Sequence, residues 1–227
     1  MTDIKKYAVI VAGGKGTRMG GNIPKQFLPL MGLPVLCHSL QAFAHAFRDI
    51  KLILVVPPDQ LDSAHTILKS YIGLLNITTV AGGETRFHSV QNGLKKVKND
   101  GVVFIHDAVR PLISESLIYR CYEGALVNGN AIPVIPVVDS MRQIGDGGIS
   151  TPVNRDQLRI VQTPQTFLTR EILMAFNRPY DPAFTDEATV AEASGIKVHL
   201  VAGDKENIKI TNPGDMIIAD TLLKASV

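Results

Sequence analysis

The sequence has little of what would mark several common protein classes. Only two cysteines occur, Cys37 and Cys121, with no paired spacing. That excludes a disulfide framework and a cysteine zinc site, and leaves both as small core residues. The histidines are scattered without metal-ligand spacing. Neither sign of charge dominates: 23 Lys and Arg stand against 21 Asp and Glu. A net charge of +2 provides no general polybasic surface for nucleic acid or membrane. No apolar run approaches the roughly 20 residues of a membrane span, and residues 1–6 carry charge where a secretory signal would be apolar. A cytoplasmic protein is expected. Repeats, low-complexity tracts and Ser/Gly-rich linkers are missing, so residues 1–227 read as a single domain. Hydrophobic residues make up 45% and charged residues 19%, normal for a soluble domain with a sizeable core.

Apolar, β-branched runs alternate with helical patterns. Strands are expected at Tyr7–Ala12, Leu52–Val56, Ile77–Val80, Val102–Ile105, Ala131–Val138 and Val198–Val201. Helices are expected at Val35–Phe47, Gln60–Leu74, Phe87–Val97, Ser114–Asn128, Arg170–Asn177, Asp186–Ser194 and Pro213–Lys224. Ser114, Thr169 and Asn212 supply helix-starting side chains. This alternation predicts an α/β fold, a Rossmann-like, mainly parallel twisted sheet with helices on both faces. One segment breaks the pattern. Two extended runs flank Gly145-Asp-Gly-Gly148 and predict a protruding β-hairpin arm at about 139–157. It is either a surface flap or an arm that pairs with a second subunit.

Ligands of open α/β sheets sit beyond the carboxyl ends of the strands, and the polar residues gather there. After the first strand comes Val11-Ala-Gly-Gly-Lys-Gly-Thr-Arg-Met-Gly20, followed by Pro24, Lys25 and Gln26. Glycines let backbone amides approach phosphate oxygens, and Arg18 and Lys25 would neutralise them. The loop is not a P-loop, since no Gly-Lys-Ser/Thr follows, and Met19 stands where a dinucleotide fingerprint needs its third glycine. A longer loop wrapping a nucleoside triphosphate is the reading that remains. After the third strand comes Ala81-Gly-Gly-Glu-Thr-Arg-Phe-His-Ser89, and after the fourth His106-Asp-Ala-Val-Arg-Pro111. Asp107 can take a ribose hydroxyl or help hold Mg²⁺ with phosphate oxygens. Arg110 is its ion-pair partner or a ligand of an acceptor phosphate, and His106 is structural. Arg155, Thr163 and Thr185 form a phosphate-binding set for an acceptor; Asp186 serves as a helix cap or a ligand. No serine or cysteine nucleophile with a base is visible. Phosphoryl or nucleotidyl transfer remains, where positioning and charge neutralisation supply most of the catalysis.

Taken together, Ala12-Gly-Gly-Lys-Gly-Thr-Arg-Met with Pro24-Lys-Gln resembles the signature of sugar nucleotidyltransferases. With His106-Asp-Ala-Val-Arg-Pro111, Asp139-Ser-Met141, Arg155, Thr163-Pro-Gln165, Thr185-Asp-Glu-Ala188 and Asn207-Ile-Lys-Ile-Thr211, the chain resembles the 2-C-methyl-D-erythritol 4-phosphate cytidylyltransferase family, from Tyr7 to about Leu223. The resemblance implies CTP as substrate, Mg²⁺ or another divalent cation, and a homodimer with interlocking arms. It implies that Arg18 and Lys25 stabilise the pentavalent α-phosphate. Arg155 and Lys209 would position the acceptor phosphate. Ala12, Gly13, Gly14 and Gly16 would belong to the nucleotide loop, with Gly83, Glu84, Arg86 and Ser89 on the cytosine side and Asp107 at the ribose or, with the phosphates, the metal. Arg110, Ser140, Thr163 and Thr185 would hold the acceptor. Two departures matter. Ala12-Gly-Gly stands where Ala-Ala-Gly is commoner, which also suits ribitol 5-phosphate cytidylyltransferases, and Ser140 replaces a common threonine. Thr185-Asp-Glu-Ala and the context of Arg155 favour the methylerythritol enzymes. A non-catalytic nucleotide-binding module is the rival from another class.

Overall fold

The computed structural model describes residues 4–14, 23–72 and 76–225. In chain order the elements are β1 (Lys5–Val11), β2 (Pro29–Leu30), β3 (Leu33–Pro34), α1 (Val35–Ala46), β4 (Lys51–Val56), α2 (Leu61–Ile67), β5 (Ile77–Ala81), α3 (Arg86–Leu94), β6 (Gly101–Asp107) and α4 (Glu115–Asn128). There follow β7 (Asn130–Pro136), β8 (Met141–Ile144), β9 (Ser150–Val153), β10 (Arg159–Val161), β11 (Gln165–Leu168), α5 (Thr169–Ala175), α6 (Glu187–Ala193), β12 (Leu200–Ala202) and α7 (Pro213–Ala225). The main sheet has eight strands in the order β10-β7-β11-β6-β1-β4-β5, with β12 beside β7. β6, β1, β4 and β5 are mutually parallel. The strand order reverses at β1, which pairs with β4 on one side and β6 on the other. A ligand crevice is expected beyond their carboxyl ends.

Alternation along the strands builds two cores. Ala8 and Ile10 of β1 and Val102 and Phe104 of β6 face α1 and α4, with Phe43, Leu117 and both cysteines. Tyr7, Val9, Val103 and Ile105 face the opposite side, with Phe87, Val90, Ile172 and Val190 from α3, α5 and α6. Both thiols are pushed up to about 12 by burial, as expected of inert core residues. A third cluster packs α7 through Ala219 against Leu30, Val35, Val109 and Ile210.

The mainly parallel α/β reading holds, with three refinements. β11 is an antiparallel strand inserted between β6 and β7, which the sequence reading did not anticipate. Its polar Gln165 and Thr166 are buried, so it lacks the apolar run that marked the other strands. The expected helix from Gln60 ends its α-helical part at Ile67 and continues as a π-helical turn, Leu68–Ile72. Thr169 lies inside α5 and does not cap it; its hydroxyl bonds Gly101 N and Asn99 O instead. Ser114 caps α4 through Leu117 N, and Asn212 Oδ1 accepts from Asp215 N.

β8 and β9 form a separate antiparallel hairpin, Met141 opposite Val153 and Ile144 opposite Ser150. Its turn uses Gly147 and Gly148 at φ 69° and 77°, a conformation that disfavours a side chain.

Close approach of α3 to the sheet requires a glycine. A Cβ at Gly93 would lie 2.6 Å from Val9 Cγ1 and 2.9 Å from Val55 Cγ2. Gly93→Ala is expected to lower unfolding free energy by about 1–3 kcal/mol through overpacking, despite alanine's better helix propensity. Urea denaturation measures this; equal or raised stability would contradict the packing.

Candidate active site

Asp107, the last residue of β6, lies at the centre of a charged cluster at the carboxyl edge of the sheet. Its Oδ1 accepts from Arg86 Nη1 at the start of α3. Its Oδ2 is 2.9 Å from Lys209 Nζ and 3.6 Å from Arg110 Nε. Burial alone would raise the Asp107 carboxyl, but Arg86, Lys209 and Arg110 together hold it well below the usual carboxylate range. Arg86 forks: Nη2 donates to Glu187 Oε2 of α6 at 2.9 Å. Burial works against the Arg86 cation, yet Glu187 and Asp107 hold it above its ordinary value. Burial pushes the Glu187 carboxyl up, against the pull of Arg86. Burial also lowers Arg110, whose Nη1 donates to Asn207 O at 2.7 Å.

A neutral layer fixes this cluster from below. Asp107 N donates to Thr163 Oγ1 at 3.0 Å. Thr163 Oγ1 is 3.1 Å from His106 Nδ1, and His106 Nε2 is 3.2 Å from Arg110 O. A carbonyl only accepts, so the proton sits on Nε2 and the threonine hydroxyl donates to Nδ1. Burial pushes His106 down to about 4, consistent with that neutral ring.

The walls come from the neighbouring strand ends. Ala12, Gly13 and Gly14 continue from β1, and Ala12 N donates to Val55 O. Gln26 Nε2 donates to Ala12 O at 3.0 Å and to Gln60 Oε1 at 2.8 Å, fixing the start of the glycine loop. Lys25 is buried and its Nζ donates to Ile210 O at 2.9 Å. After β5, Gly83 N donates to Ser89 Oγ at 3.1 Å, and a Cβ at Gly83 would lie 2.4 Å from that of His88. These segments enclose a cleft of about 290 Å³.

The cleft brings together Ala12, Gly13, Gly14, Lys25, Gly83, Glu84, Arg86, Ser89, Asp107 and Lys209, all expected there from sequence. Gly16 and Arg18 lie outside the described residues. Gln26, Thr85 and Val109 also line it without having been assigned site roles. Gln26 carried a signal, its place directly after Lys25; Thr85 and Val109 carried none beyond lying in the right loops. Thr163 and Arg110 sit beneath the cleft, engaged with the backbone and with Asp107. Asp186 is a helix cap, its carboxylate accepting from Thr189 N at 2.9 Å. Ser140 and Arg155 lie on the exposed hairpin segment, where Arg155 Nη1 donates to Val138 O. Thr185 is exposed and borders a crevice shared with Arg86 and Glu187.

Among the described residues no group of three His, Cys, Asp or Glu side chains could hold a metal ion. Both Asp107 oxygens already face cations. This donor set does not fit a divalent ion held by protein ligands alone, which differs from the expected arrangement of Asp107 beside substrate phosphate oxygens. No helix among the described residues is long and apolar enough to cross a membrane.

The Asp107 shift carries a pH signature. A depressed folded-state value means stabilisation that is present above the ordinary aspartate value of 3.8 and is lost as pH falls towards the folded value. Below that ordinary value the Asp107 contribution is expected to fall by about 1.4 kcal/mol per pH unit. Urea unfolding of wild type and Asp107→Asn across pH should show their difference narrowing in acid; a constant difference would contradict the assignment.

The family profile described as IspD, 2-C-methyl-D-erythritol 4-phosphate cytidylyltransferase, matches residues 6–225. A protein of that name from Bacteroides thetaiotaomicron is 45% identical over 220 residues, covering 97% of this chain and 100% of the relative. One from Bacteroides fragilis is 46% identical over 218 residues, covering 96% and 99%. The crystal structure of 4-diphosphocytidyl-2C-methyl-D-erythritol synthase from Anaerococcus prevotii superimposes with a TM-score of 0.82 at 30% identity, covering 97% and 99%. With the match running through every cleft segment, the chain belongs to the 2-C-methyl-D-erythritol 4-phosphate cytidylyltransferase family.

Proposed function

We propose that this protein transfers CMP from CTP to 2-C-methyl-D-erythritol 4-phosphate, giving 4-diphosphocytidyl-2-C-methyl-D-erythritol and pyrophosphate, in the cytoplasm. The observation that carries the reading is the convergence of the glycine loop, Lys25, the Gly83–Ser89 loop, Asp107 and Lys209 on one cleft. An oxygen of the acceptor phosphate attacks the α-phosphorus of CTP. The bond from that phosphorus to the bridging oxygen breaks, and the electron pair leaves on pyrophosphate. The attacking oxygen is already ionised, so the step needs no general base. That agrees with a cleft in which Asp107, the one buried carboxylate among the described lining residues, is locked to cations.

In this reading Lys25 and Arg18 neutralise the charge that builds on the α-phosphate, and the amides of Ala12–Gly14 approach the triphosphate. Gly83, Glu84 and Ser89 meet the cytosine through a loop closed by the Gly83–Ser89 hydrogen bond, and Asp107 meets the ribose. Lys209, anchored on Asp107, presents its ammonium to the acceptor phosphate. A divalent cation belongs to the substrate, carried on the oxygens of the triphosphate. Thr163 and Arg110 act from beneath, holding Asp107 and the Asn207–Lys209 segment.

Arg155, Ser140 and Thr185 do not line the cleft of their own chain. The hairpin segment also exposes Met141, Ile144 and Ile149 to solvent, and Val138 just before it is exposed too. An isolated hairpin needs something to pack on. Both features support an arm at about 139–157 that packs on a second copy and carries Arg155 and Ser140 to its acceptor.

Pyrophosphate release from CTP and Mg²⁺ tests the reaction: turnover is expected with methylerythritol phosphate, and turnover with ribitol 5-phosphate alone would overturn the acceptor. Lys25→Ala is expected to cut kcat roughly a hundredfold, about 3 kcal/mol, with a far smaller loss of CTP affinity; equal losses in both would contradict its role. Sedimentation should find a dimer, and a fully active monomer would end the proposal for the arm.

A further inference from the structure

Glu187 belongs to the Thr185-Asp-Glu-Ala188 segment and has no part in the reaction as described so far. It is 1% exposed. An acidic residue in the first turn of a helix is ordinarily explained by the helix dipole or a cap. Neither explains this one. The cap of α6 is complete without it: Asp186 Oδ1 accepts from Thr189 N at 2.9 Å, and the reciprocal bond comes from Thr189. The Glu187 carboxylate instead meets Arg86, 101 residues away in sequence, at 2.9 Å.

The consequence is a chain of alternating charge: Glu187, Arg86, Asp107, Lys209. Side-chain exposure is 2% at Glu187 and 43% at Lys209. The chain therefore starts in the core and ends in the cleft. The backbone that carries each of its two carboxylates is fixed independently of Arg86. Asp107 hangs by its amide from Thr163. The start of α6 is bolted to Gln165, which accepts from Ala188 N at 2.7 Å and donates to Asp186 Oδ2 at 2.8 Å. Both anchors thus lie on the same short stretch, 163–165. The planar guanidinium spans the gap with one Nη on each carboxylate, a geometry that a lysine ammonium does not reproduce.

We infer that Glu187 is a positioning residue for nucleotidyl transfer: it anchors Arg86 across Asp107, so that Asp107 and Lys209 keep their places in the cleft. The inference rests on the reaction proposed above. Without the anchor, Arg86 keeps only Asp107 and competes with Lys209 for it. The ammonium at the cleft end of the chain then loses its fixed position. The damage falls on the alignment of the acceptor, and the nucleotide is still captured by the glycine loop and Lys25.

Glu187→Gln keeps the shape and removes the charge. It is expected to lower kcat about tenfold while the KM for CTP changes less than about threefold. Arg86→Lys tests the same fork from the other end, even where Glu187→Gln folds poorly, and should give the same split. The double variant should be no worse than the poorer single variant, since both break one link. Losses that multiply, or wild-type turnover in either single variant, would overturn the inference. Thermal unfolding run alongside corrects for the folded fraction. A second readout is independent of turnover: the Arg86 Nε–H resonance, assigned by its loss in Arg86→Lys, should be sharp in wild type and broadened or shifted in Glu187→Gln. An unchanged resonance would overturn the inference. If wild type releases no pyrophosphate with any polyol phosphate, the reaction itself falls, and this resonance still decides the role of Glu187.

Discussion

The site depends on the carboxylate of Asp107 at the end of β6. It is 5% exposed, yet three cations from three separate segments converge on it. A buried carboxylate without such partners would take up a proton, and the part-buried Arg86 and buried Arg110 without a carboxylate would repel one another. Each keeps the others charged. Removing a fully buried partner of an ion pair typically costs about 3–5 kcal/mol, because the remaining charge is left uncompensated in the interior; the cost is lower for Lys209, whose side chain is 43% exposed and screened by solvent. The cluster therefore fixes where α3, the 207–210 segment and α6 meet the sheet edge. The cleft takes its shape from that meeting.

The two-faced sheet makes the cluster affordable. Covered on both sides by separate apolar cores, β1 and β6 hold their carboxyl ends rigidly beside each other, Val11 opposite Asp107. Asp107 is thus placed against the start of the glycine loop by strand register alone. The neutral layer of Thr163 and His106 adds no charge. It satisfies the Asp107 amide and the Arg110 carbonyl, so the cations above are balanced only by carboxylates and, in the proposed reaction, by substrate phosphates.

Much of this was legible in the sequence. Buried parallel strands are continuously apolar, so β1, β4, β5 and β6 were found within a residue or two, and their ends marked the cleft. Ten of the expected site residues line it. The sequence concealed what depends on partners. β11 is polar because Gln165 bonds the start of α6 and Thr166 is buried between strands, so its pattern resembles a loop. Thr163 was expected at the acceptor from its place after the hairpin; the sequence did not show that its hydroxyl also meets Asp107 N and His106 Nδ1. Glu187 was given no role, since nothing local announces a bond to a residue 101 positions away. Ser140, Arg155 and Thr185 fall outside the cleft, which their positions in the sequence did not show.

The most direct test of the account is a crystal structure with CTP bound. The cytosine is expected against the Gly83–Ser89 loop, the ribose at Asp107, and the α-phosphate within hydrogen-bonding reach of Lys25 Nζ, with Lys209 still on Asp107 and facing the attacking side. A nucleotide whose α-phosphate lies away from Lys25, or whose base leaves the Gly83–Ser89 loop empty, would contradict it.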